Sequence, residues 1–225
     1  MLYKVRYARL QPELVGEWDG AAWSQAGTLE IAHFRPEGSD HRPRTLARLL
    51  HDERGLYGIF QVEDRYVRCV HRGYQVPCYL DSCVEIFIKP KEDRGYFNFE
   101  FNCGGSLLAY YIVDPARVPG GFRDYKPLPD ADLREVSIYH SLPSLVQPEI
   151  TEPVLWRLEF MVPFSLFEKW VGPLAPVAGQ QWRANLYKCG DATSHPHWAS
   201  WAPLDELNFH LPRCFGTIQF EVPVS

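Results

Sequence analysis

The sequence predicts an all-β chain: an antiparallel β-sandwich with immunoglobulin-like or jelly-roll-like layers, long loops and little helix. Three observations predict it. Short runs that alternate apolar and polar residues recur along the chain, with the period of a half-buried strand. Turn formers punctuate them, 19 Pro and 16 Gly among 225 residues. No long amphipathic helix stands between them, and many short strands at regular spacing close into sandwiches or barrels. No repeat, low-complexity tract or linker breaks the series, so residues 1–225 read as one domain.

The elements follow in order. TLEIAHF (28–34) alternates as a strand does. Residues 44–64 read as two strands around Asp-Glu-Arg-Gly, with Leu56, Gly58, Phe60 and Val62 on one face and Tyr57, Ile59 and Gln61 on the other. CVEIFIKP (83–90) is a mostly apolar strand. YFNFEFN (96–102) follows it across the polar turn Lys-Glu-Asp-Arg-Gly, so the two form a hairpin. SLLAYYIVD (106–114) is the next strand, after Gly104-Gly105. Residues 115–135, rich in Pro, Gly and charge, read as a long loop of the kind that is often functional. REVSIYHSL (134–142), VLWRLEFMVPF (154–164) and WRANLYKCGD (182–191) continue the strands. SLFEKWVGPL (165–174) reads as one short helix, and GTIQFEVPV (216–224) as the closing strand.

Composition narrows the function. A net charge of −5 without a basic tract excludes nucleic acid as the main partner. No run approaches the roughly 20 apolar residues of a membrane helix, so no membrane partner is expected. The N-terminal residues lack an apolar core and a small-residue cleavage site, which points to the cytoplasm unless a leader has been removed. The six cysteines form no C-x-x-C pair and read as buried, reduced thiols. Seven Trp, twelve Tyr and thirteen Phe exceed what a core of this size needs, so some should face a ligand.

YFNFEFN shows where that ligand could sit. Phe97, Phe99 and Phe101 supply one face of a strand; Asn98, Glu100 and Asn102 supply the other. Amides and a carboxylate suit the hydroxyl rim of a sugar, which both donates and accepts, while aromatic rings suit its C–H faces. The same polar stripe also fits the solvent face of a half-buried sheet. On the strand at 182–187, Arg183, Asn185 and Tyr187 share a face, from which Arg183 could neutralise Glu85 or Glu100. Trp198, between small polar residues, is a further candidate platform, whereas Trp201 suits the core.

Several segments, in order, resemble the carbohydrate-binding module family 9-like domains. They are WDGAAW (18–23), LYGIFQVED (56–64), DSCVEIFI (81–88), YFNFEFN, WRLEFMVPF (156–164), WRANLYKCGD, SWAP (200–203) and NFHLPRCFGTIQF (208–220). The resemblance covers residues 15–221, and its firmest parts are the D-S-x-V-E-I-F strand and the terminal P-x-x-F-G. It implies a β-sandwich, found in stand-alone proteins and attached to xylanases, that serves polysaccharide or glycan utilisation. It also implies a sugar clamped between two aromatic rings. Those positions fall on Tyr79 and Phe209, both tryptophan in xylanase-linked members. Hydrogen bonds would come from Glu85 and from Glu100 and Asn102 on the next strand; Glu100 stands where those relatives have arginine.

The expectation is therefore non-catalytic binding of a mono- or oligosaccharide through Tyr79, Glu85, Asn98, Glu100, Asn102, Arg183, Asn185, Trp198 and Phe209, by a monomer or weak dimer. No cofactor is required. The resemblance allows calcium, for which Asp64, Asp81 and Asp191 are the carboxylates of interest. His195 and His197, with Cys189, Asp191 and His210, suggest a transition metal, although their spacing matches no zinc motif. Two other readings stand beside binding. Glu85, Glu100 and Glu159 could form the carboxylate pair of a glycan-processing hydrolase. Alternatively, the sandwich could be a protein-interaction module.

Overall fold

The computed structural model describes residues 1–223; Val224, which belongs to the expected closing strand, and Ser225 lie outside them. The described residues form sixteen strands and two short helices. The strands of the N-terminal half are β1 (Leu2–Tyr7), β2 (Leu29–Glu30), β3 (His33–Phe34), β4 (Arg44–His51), β5 (Gly55–Asp64), β6 (Val67–Cys69), β7 (Cys83–Lys89) and β8 (Tyr96–Asn102). Then come β9 (Leu107–Val118), β10 (Gly121–Pro127), α1 (Asp130–Leu133), β11 (Ser137–His140), β12 (Val146–Ile150) and β13 (Val154–Pro163). The chain continues with α2 (Phe164–Val171), β14 (Gln181–Cys189), β15 (Trp198–Ser200) and β16 (Gly216–Phe220). Among the described residues no helix is long and apolar enough to cross a membrane.

Two layers make the sandwich. The first runs β10-β9-β8-β7-β14-β16-β1, with β15 on β14 and β3 on β15. The second runs β1-β4-β5-β13-β11, with β2 on β4. β1 belongs to both: Leu2–Val5 pair with β16, and Arg6–Tyr7 with β4, each in parallel. β6 and β12 form a separate ribbon.

Strand alternation builds the core. From the first layer, Val84, Ile86 and Ile88, Phe97, Phe99 and Phe101, and Trp182, Ala184 and Leu186 all point inward. They meet Leu49, Phe60, Val62, Trp156, Leu158 and Phe160 of the second layer. Phe101 stacks on Phe160 at 5.0 Å. Truncating a buried ring of this kind costs roughly 3–5 kcal/mol. α2 packs Phe167 against Phe97 and Trp182, at 5.1 and 5.7 Å. It ends at Val171, short of the expected Leu174, because Gly172 takes a φ of +76° and leaves the helix.

Three expectations need amendment. Residues 115–135 are not a loop: β9 continues to Val118 and turns at Gly120-Gly121 into β10, and α1 follows. The turn needs glycine twice, since φ is +95° and +147°, and a Cβ on Gly121 would meet the Tyr125 hydroxyl at 2.8 Å. The polar face of YFNFEFN is not a solvent face, because Asn98, Glu100 and Asn102 are all buried. The strand at residues 2–7, where buried Tyr3 and Val5 alternate with exposed Leu2, Lys4 and Arg6, is an addition to the strands expected from the sequence.

Candidate functional site

The outer face of the first layer is roofed by loops, and a cleft of about 680 Å³ lies between sheet and roof. Its floor is β7, β8 and the end of β14. A one-turn 3-10 helix (Cys78–Leu80), with Cys78 buried and Tyr79 turned outward, forms one wall. Asp191 and Trp198 follow β14; the β9–β10 hairpin brings Tyr110, Arg117, Phe122 and Tyr125; residues 206–210 close the remaining side.

Five of the expected residues meet there: Tyr79, Glu85, Glu100, Trp198 and Phe209. Four stand outside its walls, with their polar groups bonded inside the protein. Asn98 donates to Glu100 Oε1 at 2.7 Å and accepts from the Tyr110 amide. The Asn102 amide donates to Asp81 and to the His71 carbonyl. Arg183 donates to the carbonyls of Phe215 and Gly216. Asn185 bonds the backbone of Ala202 in both directions. A strand pattern tells which face a side chain takes, and these four share the face. It does not tell which part of that face the roof leaves open.

The aromatic members differ in freedom. Tyr79 is 40% exposed. Phe209 lies flat on buried Tyr187, 4.1 Å away and 12° from parallel, so only its other face is free. The Trp198 indole N–H donates to Asp191 at 2.7 Å, which fixes the ring. Tyr110 packs edge-on to Tyr125, and Arg117 lies 4.1 Å over Phe122. His210 hydrogen-bonds the Tyr96 hydroxyl; burial holds it neutral by lowering its pKa to about 3. Arg117, Phe122 and Tyr125 escaped sequence reading because the stretch that brings them resembled a loop, whereas Tyr110 lies on the expected strand 106–114 without having been singled out.

The floor is acidic. Glu85 and Glu100 are directly opposed in the β7–β8 ladder and share a face, which puts their Cβ atoms about 4.5–5.5 Å apart. They are 2% and 5% exposed. Burial pushes Glu100 up to about 8; the Asn98 hydrogen bond opposes this and the Asp191 charge adds to it. Burial also raises Glu85, helped by Cys189 and Glu100. Glu100 therefore keeps its proton at pH 7. Asp191 rises to about 6, again chiefly through burial. Glu100 Oε2 is buried without any hydrogen-bond partner. A buried polar atom left this way costs about 1–3 kcal/mol, which a bound donor would recover.

The metal candidates do not gather. His197 accepts from Lys188, His195 stacks on Tyr66, and His210 is held by Tyr96. Asp64, Asp81 and Asp191 lie in three separate places, so they form no joint calcium site. Asp64 is engaged by His41, Arg65, Trp156 and Lys188, and Asp81 Oδ2 by Val70, His71 and Asn102. Among the described residues, one group does bring ligand atoms within 4.8 Å of one another: Cys83, Glu85 and Cys189. There the Cys189 thiol donates to Glu85 Oε1 at 3.2 Å. All six cysteines are free, five of them buried. Glu159 sits on the second layer, bonded by Gly16 and Trp23, and cannot join Glu85 and Glu100.

The family model of carbohydrate-binding family 9 matches residues 23–220. Among solved structures, a candidate carbohydrate-binding protein from Bacteroides uniformis ATCC 8492 superposes with a TM-score of 0.84 at 27% identity, over 98% of this chain and 99% of that one. A family 9 module from Caldicellulosiruptor kristjanssonii in complex with glucose gives 0.66 at 14% identity, over 100% and 97% of the two chains. A family 9 module from the same organism in complex with cellotriose gives 0.62 at 16% identity, over the full length of both chains. A search of curated proteins finds no match to the chain.

Proposed function

The chain belongs to carbohydrate-binding family 9, and from that premise we propose that it binds a mono- or oligosaccharide, without catalysis, in the cleft over β7, β8 and β14. The observation that carries this is the cleft's composition: buried carboxyl groups, one with an oxygen lacking any partner, ringed by Tyr79, Tyr110, Trp198 and Phe209. Rings cover the C–H faces of a sugar, while carboxyl groups exchange hydrogen bonds with its hydroxyls. Glu85 and Glu100 are the central hydrogen-bonding groups, with Asp191 and Arg117 at the sides. Tyr79 and Trp198 are the principal platforms. Phe209, with one face occupied, is a lesser one.

The acids speak for binding rather than hydrolysis. A glycosidase pair flanks its bond with one ionised and one protonated carboxyl group. Here the two floor carboxyl groups lie side by side in one sheet, on the same side of any ligand, and burial raises both.

Calorimetry or a glycan array with purified protein against mono- and oligosaccharides tests the reading. Trp198→Ala or Tyr79→Ala should weaken binding at least tenfold with the circular dichroism spectrum unchanged. A folded variant of both residues that binds as tightly as the parent chain would remove the clamp from this cleft.

A further inference from the structure

The cleft walls carry four acids, Glu85, Glu100, Asp191 and Glu206, against Arg117 and a His210 that burial keeps neutral. Glu206 already pairs with Arg213 at 3.0 Å. Arg117 is held over Phe122. Among the described residues, no Lys, Arg or His nitrogen comes within ion-pair distance of Glu85, Glu100 or Asp191, whereas buried Asp64 on the other side of the sheet has two such partners. Three carboxyl groups thus converge on one space whose one cation, Arg117, ion-pairs with none of them, and Glu100, whose Oε2 lacks a hydrogen-bond partner, lines that space.

A sugar hydroxyl could give Glu100 a hydrogen bond but no charge. An amine gives N–H donors and a positive charge, and aromatic rings attract it as well. Trp198 is tied to Asp191 through its indole nitrogen, so ring and carboxyl group present themselves together. We propose that the cleft selects amino sugars, with the ligand's ammonium seated against Glu100 and Asp191 and its ring carbons on Trp198 and Tyr79. This rests on the reading of the cleft as a carbohydrate site and specifies its ligand class.

A proton linkage follows. Glu100 is surrounded by Glu85 from β7, Tyr96 on its own strand, Cys78 and Tyr79 from the 3-10 turn, Tyr110 and Arg117 from β9, and Asp191 from the loop after β14. Arg117 alone in this set favours its ionisation. An ammonium beside it adds a second positive charge, so the Glu100 proton passes to solvent while the ammonium keeps its own. Near pH 7, amino-sugar binding then releases protons, whereas a neutral sugar leaves Glu100 protonated.

Calorimetry in amine-free buffer at pH 7 decides this. Glucosamine, galactosamine and oligomers of glucosamine would each be titrated beside the parent neutral sugar and the N-acetylated form. At least one amino sugar should bind tenfold or more tightly than both of its counterparts. A second amine-free buffer of different ionisation enthalpy should reveal proton release for that sugar alone. Glu100→Gln and Asp191→Asn should each lower the amino-to-neutral affinity ratio at least fivefold. Neutral sugars binding as tightly as their amino forms would overturn the selectivity and leave the carbohydrate site standing. A preference that survives both substitutions would overturn the seat. No binding by any saccharide of either series would overturn the carbohydrate reading itself, and this inference with it.

Discussion

Consecutive residues of β14 point into two different electrostatic worlds. Lys188 enters the space between the layers, where it meets Asp64 at 3.4 Å and donates to His197 Nε2 at 2.7 Å and to the Cys189 carbonyl at 3.0 Å. His41 and the Trp156 indole complete the shell of Asp64. Burial works against an ionised Asp64, yet Lys188, His41, His197 and Trp156 together hold its carboxyl group well below the usual range. Burial, followed by Lys188, lowers His197 to about 3, so its neutral ring is free to accept from that lysine. On the opposite face, Cys189 joins buried Glu85 and Glu100 and half-buried Asp191, none of which has an ion-pair partner among the described residues. A fold that needs a buried charge for its own stability supplies the counter-charge. Where it supplies none, burial raises the carboxyl groups above their usual range and one oxygen stays without a partner. That difference separates a structural cluster from a site.

One chemical change, acid to amide, should act with opposite sign on the two faces. Asp64→Asn strands the Lys188 charge and should cost about 3–5 kcal/mol in urea unfolding at pH 7. Glu100→Gln should stabilise the domain, by about 2–4 kcal/mol at pH 8. The folded chain keeps the Glu100 proton to about pH 8, while the unfolded chain releases it near 4.5. Stability is therefore full below pH 4.5 and is lost as pH rises through that window, so the gain from Glu100→Gln should fade towards pH 4.5. Asp191→Asn should act in the same direction but more weakly, by about 1–3 kcal/mol at pH 7, because its window spans only 3.8 to about 6 and the group is only half-buried.

Asp64 runs the other way. Its contribution is present above the unfolded carboxylate pKa and is lost as pH falls from there through the lower folded pKa. His197 acts with it: the unfolded chain takes up a proton below about 6.5 while the folded ring resists until about 3, so acid costs stability there too. A neutral Asp64→Asn, or a Glu100→Gln that destabilises at pH 8, would break the contrast.

The sequence exposed the core more fully than the cleft. Phe97, Phe99 and Phe101 were assignable because a period of two is a property of the strand itself. The family resemblance pointed to Tyr79, Glu85 and Phe209, and alternation together with that resemblance pointed to Glu100. What neither could reach was the roof. Whether Asn102 faces a ligand or Asp81 depends on where the chain crosses above it. Arg117 and Tyr125 lie in a stretch whose glycines and prolines resemble a loop until β9 and β10 are seen to pair. Lys188, on a strand where it would be expected to seek solvent, gave no hint of its buried partners, since Asp64, His41 and His197 lie far apart in the chain.

β1 has a consequence in time rather than in space. β4 and β5, a hairpin close behind it in the chain, can assemble soon after synthesis and give Arg6 and Tyr7 their partner. Leu2 to Val5 have to wait for β16, which emerges after every other strand among the described residues. Contacts between such distant segments form late, because the intervening chain must first be gathered in. Until β16 arrives, β1 and the first half of β14 are open strand edges over an unfinished core, and open edges invite pairing with other molecules. The interval between the emergence of β14 and the docking of β16 is when a nascent chain is most vulnerable to aggregation.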